Sequence, residues 1–195
     1  MGLRELKAER TRAAITAAAL TLFERDGYDA TTMQAIAAAA EVGTSTLYRY
    51  FPTKVDLLLE PVAEWTGSLT AGLAARPADE PVAVALRAAV LNFARSVEDN
   101  RDRVRQLRAV FESTPVARAA LWDLYSQEFF GLAAAVAART GTPPDDTDAV
   151  LSAHLALAVA NVCLQASWSP DQPAVVELAD RYLAAIAGGQ PTLLR

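Results

Sequence analysis

Apolar positions recur along this chain with a period near 3.6, the repeat that turns one face of an α-helix into a core. The first run spans about Arg4 to Arg25, with Ile15, Ala18, Ala19, Leu22 and Phe23 on one stripe. Gly27 follows as a stop, because glycine tolerates positive φ. Thr31 or Thr32 caps a short second helix reaching about Ala39. The tight turn Glu41-Val42-Gly43 leads to a third, about Thr44 to Tyr50, which Pro52 ends; Gly43 is an acceptable N-cap for it. Thr53 caps a fourth helix, about Lys54 to Ala75, and the segment 76–81 is a loop by composition. A fifth helix covers about Val82 to Glu98 and a sixth about Arg101 to Glu112. The seventh starts at Pro115, a residue suited to the first helical position, and reaches about Arg139. Gly141-Thr142-Pro143-Pro144 breaks the chain before an eighth, about Asp146 to Trp168, and a ninth, about Ala174 to Ala187. The pattern predicts an all-α protein of about nine helices. An N-terminal three-helix domain over residues 1–53 precedes a C-terminal helical bundle over 54–195.

The second and third helices, joined by a three- or four-residue turn, have a helix-turn-helix layout. Ala37 and Ala40, with Ile36, permit a close crossing; Val42 plugs the turn and Leu47 anchors the third helix. Leu47, Tyr50 and Phe51 share its inward face, while Thr44, Ser45, Tyr48 and Arg49 share the opposite one. Those hydroxyls, the phenol and the guanidinium can contact base edges and phosphates in a major groove. Alanine content alone would make 35–40 merely a good helix former. The combined run T-T-M-Q-A-I-A-x-x-A-x-V-x-x-x-T-L-Y-R-Y-F-P-T-K, with caps, turn, anchors and polar outer face together, favours DNA reading.

This stretch resembles the TetR family of bacterial repressors. The resemblance starts in the first helix (Ala14, Leu20, Phe23, Gly27, Tyr28) and continues through Thr31, Thr32, Ile36, Ala37, Ala40, Val42, Thr46, Leu47, Tyr48, Tyr50, Phe51 and Lys54. It implies a cytoplasmic homodimer on a palindromic double-stranded DNA operator, with the third helix in the major groove and Tyr48 and Lys54 on phosphates. The DNA-contact candidates are Thr32, Thr44, Ser45, Thr46, Tyr48, Arg49 and Lys54. Two positions depart from the family pattern: a turn glycine is replaced by Glu41, and a basic residue by Thr44.

Charge sharpens this reading. The 195 residues carry 18 basic and 23 acidic side chains, a net charge of −5. DNA binding must therefore rest on a local patch, since association depends on the local field. Residues 1–12 supply one in Arg4, Lys7, Arg10 and Arg12, against Glu5 and Glu9. The single cysteine, Cys163, cannot form an intramolecular disulfide, and the single histidine, His154, has no second imidazole to share a metal. No Ser/His/Asp set or Gly-rich phosphate loop appears, so an enzyme is not expected, nor a cofactor or a metal. The charged N-terminus is unlike a signal peptide. The apolar stretch 150–168 is interrupted by Ser152, His154, Asn161 and Gln165, which reads as a buried helix and not a membrane span.

Aromatic residues gather in the middle helices: Trp65, Phe93, Phe111, Trp122, Tyr125, Phe129 and Phe130. They either fill the core or line an apolar ligand pocket, for which Trp65, Phe93, Phe111, Trp122, Tyr125 and Phe129 are the candidates. Arg101, Arg105 and Arg108 form a basic stripe that either pairs with nearby acids or holds phosphates. The eighth helix is apolar nearly all round and needs cover on more than one side. A partner subunit would supply it at Leu151, His154, Leu155, Ala158 and Val162. The runs R-x-R-V-R-Q-L-R, P-V-A-R-A and G-T-P-P-D-D, with the helix around His154, resemble the C-terminal domain of mycofactocin-system regulators. That group is associated with long-chain acyl-CoA, so the resemblance implies a small apolar effector of that kind.

Overall fold

The computed structural model of the chain describes residues 2–66, 68–166 and 173–189. Among them are ten helices: α1 (Leu3–Asp26), α2 (Met33–Ala39), α3 (Thr44–Tyr50), α4 (Asp56–Thr66), α5 (Ser68–Ala74), α6 (Val82–Asp99), α7 (Arg101–Ser113), α8 (Pro115–Thr140), α9 (Thr147–Ala166) and α10 (Val175–Ala187). The all-helical expectation holds. The predicted fourth helix is described as two stretches, α4 and α5, with Gly67 between them outside the described residues. Of the predicted eighth helix, the part beyond Ala166 lies outside the described residues.

Local chemistry sets the ends. Gly27, at φ +86°, closes α1 and donates its N–H to the Phe23 carbonyl at 3.0 Å. The Thr32 hydroxyl caps α2 by accepting from Ala35 N at 3.1 Å. Thr53 and Asp56 form a reciprocal box at the start of α4: Asp56 Oδ2 accepts from Thr53 N at 2.7 Å, and Asp56 N donates to Thr53 Oγ1 at 3.4 Å. Pro61 lies inside α4 and removes one of its backbone bonds. Asp146 caps α9, accepting from the amides of Asp148 and Ala149, each at 3.1 Å.

The chain forms two compact units. The first comprises 1–62 and 106–122, the second 63–105 and 123–195. The chain passes between them within α4, α7 and α8. In the first unit α1 packs on α2 and α2 on α3, around Ile15, Phe23, Ile36, Leu47 and Phe51. In the second, α6 packs on α5, α9 and α10, and α10 also packs on α9. Small residues permit close crossings there: a Cβ on Gly72 of α5 would stand only 3.3 Å from Ala89 Cβ on α6. By length and composition α9 could cross a membrane. It instead buries a stripe through Ala149, Ala153, Leu157, Ala160 and Cys163 in this unit. Burial also pushes the Cys163 thiol up to about 11, leaving an unreactive small hydrophobe.

Candidate nucleic-acid interface

The outer surface of α3 is built by burial of its other side. Leu47 and Phe51 are fully enclosed, which fixes the rotation of this two-turn helix about its axis. Thr44, Ser45, Tyr48 and Arg49 are left exposed, with Thr46 half-buried. The Arg49 guanidinium sits 5.3 Å from the centre of the Tyr50 ring, a cation–π contact that restricts a long side chain. Thr32 is exposed at the start of α2, and its hydroxyl proton remains available while the oxygen caps the helix.

The turn before α3 keeps a left-handed residue although the sequence puts glutamate there. Glu41 has φ +54°. Its N–H donates to Ala38 O at 3.1 Å, and Val42 N donates to Ala37 O at 3.0 Å. These are the paired bonds of a Schellman motif, whose left-handed position is usually glycine. The turn survives at the cost of backbone strain and of a carboxylate beside the reading helix.

Two cations have their charge committed inside the unit. Lys54 Nζ donates to the carbonyls of Tyr28 (2.5 Å), Thr31 (3.0 Å) and Asp29 (3.3 Å), and lies 4.3 Å from the Tyr28 ring centre. An ammonium has three protons, so all are used. Lys54 thus ties the loop after α1 to the residues preceding α4. Arg12 pairs with Glu60 of α4 and lies 5.1 Å from the Phe51 ring centre, while Thr16 Oγ1 donates to Glu60 Oε2 at 3.0 Å. This link among α1, α4 and the end of α3 was not legible in sequence, where Arg12 counted only as part of a basic patch. Arg4, Lys7 and Arg10 remain exposed.

Residues 15–60 match the family described as bacterial regulatory proteins, tetR family, and residues 80–191 match the MftR C-terminal domain. A curated relative, the transcriptional regulator TcmR of Streptomyces glaucescens, is 37% identical over 153 residues, covering 74% of this chain and 67% of that protein. This chain belongs to the TetR family. As a TetR-family transcriptional regulator it is not an enzyme. The transcriptional repressor KstR of Rhodococcus jostii is 48% identical over 52 residues, 27% of this chain and 24% of its own. In fold, the chain is similar to Thermus thermophilus FadR, solved in complex with lauroyl-CoA: TM-score 0.58 at 20% identity, covering 90% of this chain and 93% of that one.

The pocket candidates are distributed over both units of the TetR-family chain. Phe93, Tyr125 and Phe129 belong to the second. Phe93 is buried on α6; Tyr125 Oη donates to Leu157 O at 2.9 Å; Phe129 stacks on His154 with ring centres 4.1 Å apart. Phe111 and Trp122 belong to the first unit, where Phe111 is core and Trp122 is 70% exposed. The Trp65 side chain lies outside the described residues. The arginine stripe of α7 meets acids on or beside its own helix: Arg101 with Glu98, Arg105 with Asp102, Arg108 with Glu112. On α9, Leu151, His154 and Ala158 are exposed and Leu155 and Val162 half-buried, all on the face opposite its buried stripe.

Proposed function

We propose that the chain is a ligand-responsive transcriptional repressor, a cytoplasmic homodimer that binds a palindromic operator through α3 and is released by a small apolar effector. One observation carries the reading: the exposed Thr44, Ser45, Tyr48 and Arg49 on a helix whose opposite face is locked into a core. Arg4, Lys7 and Arg10 supply local positive charge in a chain of net charge −5. Arg49 reads a base edge; Thr32, Ser45, Thr46 and Tyr48 position phosphates; Lys54 shapes the unit from inside. Residues 1–53 form the reading part and 54–195 the sensing and pairing part. Dimerisation uses the outward stripe of α9, where a second copy covers Leu151, Leu155, Ala158 and Val162.

The effector site is built on Phe93, Tyr125 and Phe129, and long-chain acyl-CoA is the first candidate because of the MftR-like C-terminal domain. Release works through α4, inside which the chain passes from the first unit to the second, next to the helix-weakening Pro61. A ligand that shifts α4 alters the separation of the two reading helices that the operator requires.

The test is capture of genomic DNA fragments by the full chain, followed by operator binding with and without a long-chain acyl-CoA. The expected outcome is a palindromic site whose affinity falls about 5–150-fold with ligand, a coupling of about 1–3 kcal/mol. By linkage, the operator must weaken ligand binding by the same factor. No enriched fragment would overturn the DNA reading. Equal ligand affinity with and without operator would overturn induction.

A further inference from the structure

Glu128 is the one charged residue among the described ones that is buried, at 8% exposure. It lies on α8 on the same face as Tyr125, Phe129 and Leu132, by the i, i+3, i+4, i+7 rule. Its hydrogen bond runs across to α5, where Oε1 accepts from Thr70 N at 2.9 Å. No arginine or lysine among the described residues pairs with it. A carboxylate offers about four acceptor positions, and one N–H fills one. Beside it, the Thr70 hydroxyl is buried, bears on the Glu128 carboxyl and has no well-aligned hydrogen bond. The carboxylate's remaining acceptor positions and the Thr70 hydroxyl thus adjoin between α8 and α5.

Folding alone does not call for this arrangement. A neutral Gln would accept the Thr70 N–H equally well and avoid desolvating a charge. Burial pushes the Glu128 carboxyl up from its usual range, and the Thr70 amide and hydroxyl pull it partly back. Buried polar groups left short of partners mark a place where a partner arrives.

We infer that Glu128 and Thr70 form the polar anchor of the effector site, selecting an apolar molecule that carries a hydrogen-bond donor. The inference rests on the reading that the second domain takes a small apolar effector, and it adds that ligand's polar chemistry. Hydroxyl, protonated amine and amide N–H groups qualify, so the amide-bearing arm of an acyl-CoA fits. A free fatty-acid anion does not, because it would set a second negative charge against Glu128.

The experiment measures calorimetric affinities of four twelve-carbon probes at neutral pH: dodecylamine, 1-dodecanol, laurate and lauroyl-CoA. Wild type is expected to bind the amine and lauroyl-CoA at least about tenfold more tightly than laurate, the size of one charge-assisted hydrogen bond. Glu128→Gln keeps an acceptor for Thr70 N and adds an amide donor. It should weaken the amine by about tenfold and strengthen laurate, a reversal that loss of packing alone would not produce. Thr70→Val keeps the backbone N–H and should weaken 1-dodecanol while leaving laurate unchanged. Binding whose head-group order is the same in all three proteins overturns the anchor and leaves the effector reading standing. Failure of wild type to bind any of the four overturns both.

Discussion

Arg49 and Lys54 lie close in sequence and carry the same charge, yet their surroundings assign them different work. Arg49 is exposed on α3 with its guanidinium resting over Tyr50. Arg49→Ala should lower operator affinity and relax preference at one base position, by about 1–3 kcal/mol if it makes a bidentate base contact. Binding across a set of single-base operator variants checks this, and an unchanged preference would remove Arg49 from base reading. Lys54 has its three protons on the carbonyls of Tyr28, Asp29 and Thr31. Lys54→Ala should lower thermal stability and operator affinity without changing the salt dependence of binding. A phosphate contact would instead flatten the log–log salt slope by about one unit, since counterion release scales with neutralised phosphates. Titrations at several salt concentrations separate the two.

At the scale of elements, the junction between α2 and α3 is where sequence and backbone disagree. A Schellman turn needs a left-handed residue, and Glu41 supplies it at φ +54°. For a residue with a Cβ that conformation costs roughly 1–2 kcal/mol. Glu41→Gly offsets this strain against the extra unfolded-state entropy of glycine, so the expected net gain is about 0.5–1 kcal/mol in chemical denaturation. Removing a carboxylate beside the reading helix should also tighten operator binding, most visibly at low salt. An unshifted denaturation midpoint would show that the turn stores no strain.

For the whole molecule, the proposed assembly rests on the outward stripe of α9. Leu151 is 49% exposed, on a helix whose other side is filled with small buried residues. In the proposed dimer, a second copy across this stripe would give the two-fold symmetry that a palindromic operator mirrors, with half-sites about 34–36 Å apart. Leu155→Glu should convert the dimer into monomers or aggregates and abolish tight operator binding. Sedimentation velocity together with DNA titration tests it. A soluble Leu155→Glu monomer with full operator affinity would place the interface elsewhere.

Much of this protein was legible along the chain because its determinants are local. Helix periods, the Thr32 cap, the Gly27 stop and the order of α1, α2 and α3 depend on residues within a turn or two of each other, and local spacing is what a sequence displays. The all-helical class and the family followed from these short-range patterns. What only the tertiary structure decided are partnerships between distant residues. Arg12 finds Glu60, and Lys54 finds three carbonyls more than twenty residues before it. A charge seen in sequence has no direction until folding supplies or withholds a counter-charge. Glu128 illustrates this most fully: nothing in its neighbours along α8 marks it as buried. Only folding takes the carboxylate out of water, beside the amide and the hydroxyl of Thr70 on α5. Desolvation is a property of three-dimensional enclosure, so it could be read from the fold and not from the chain.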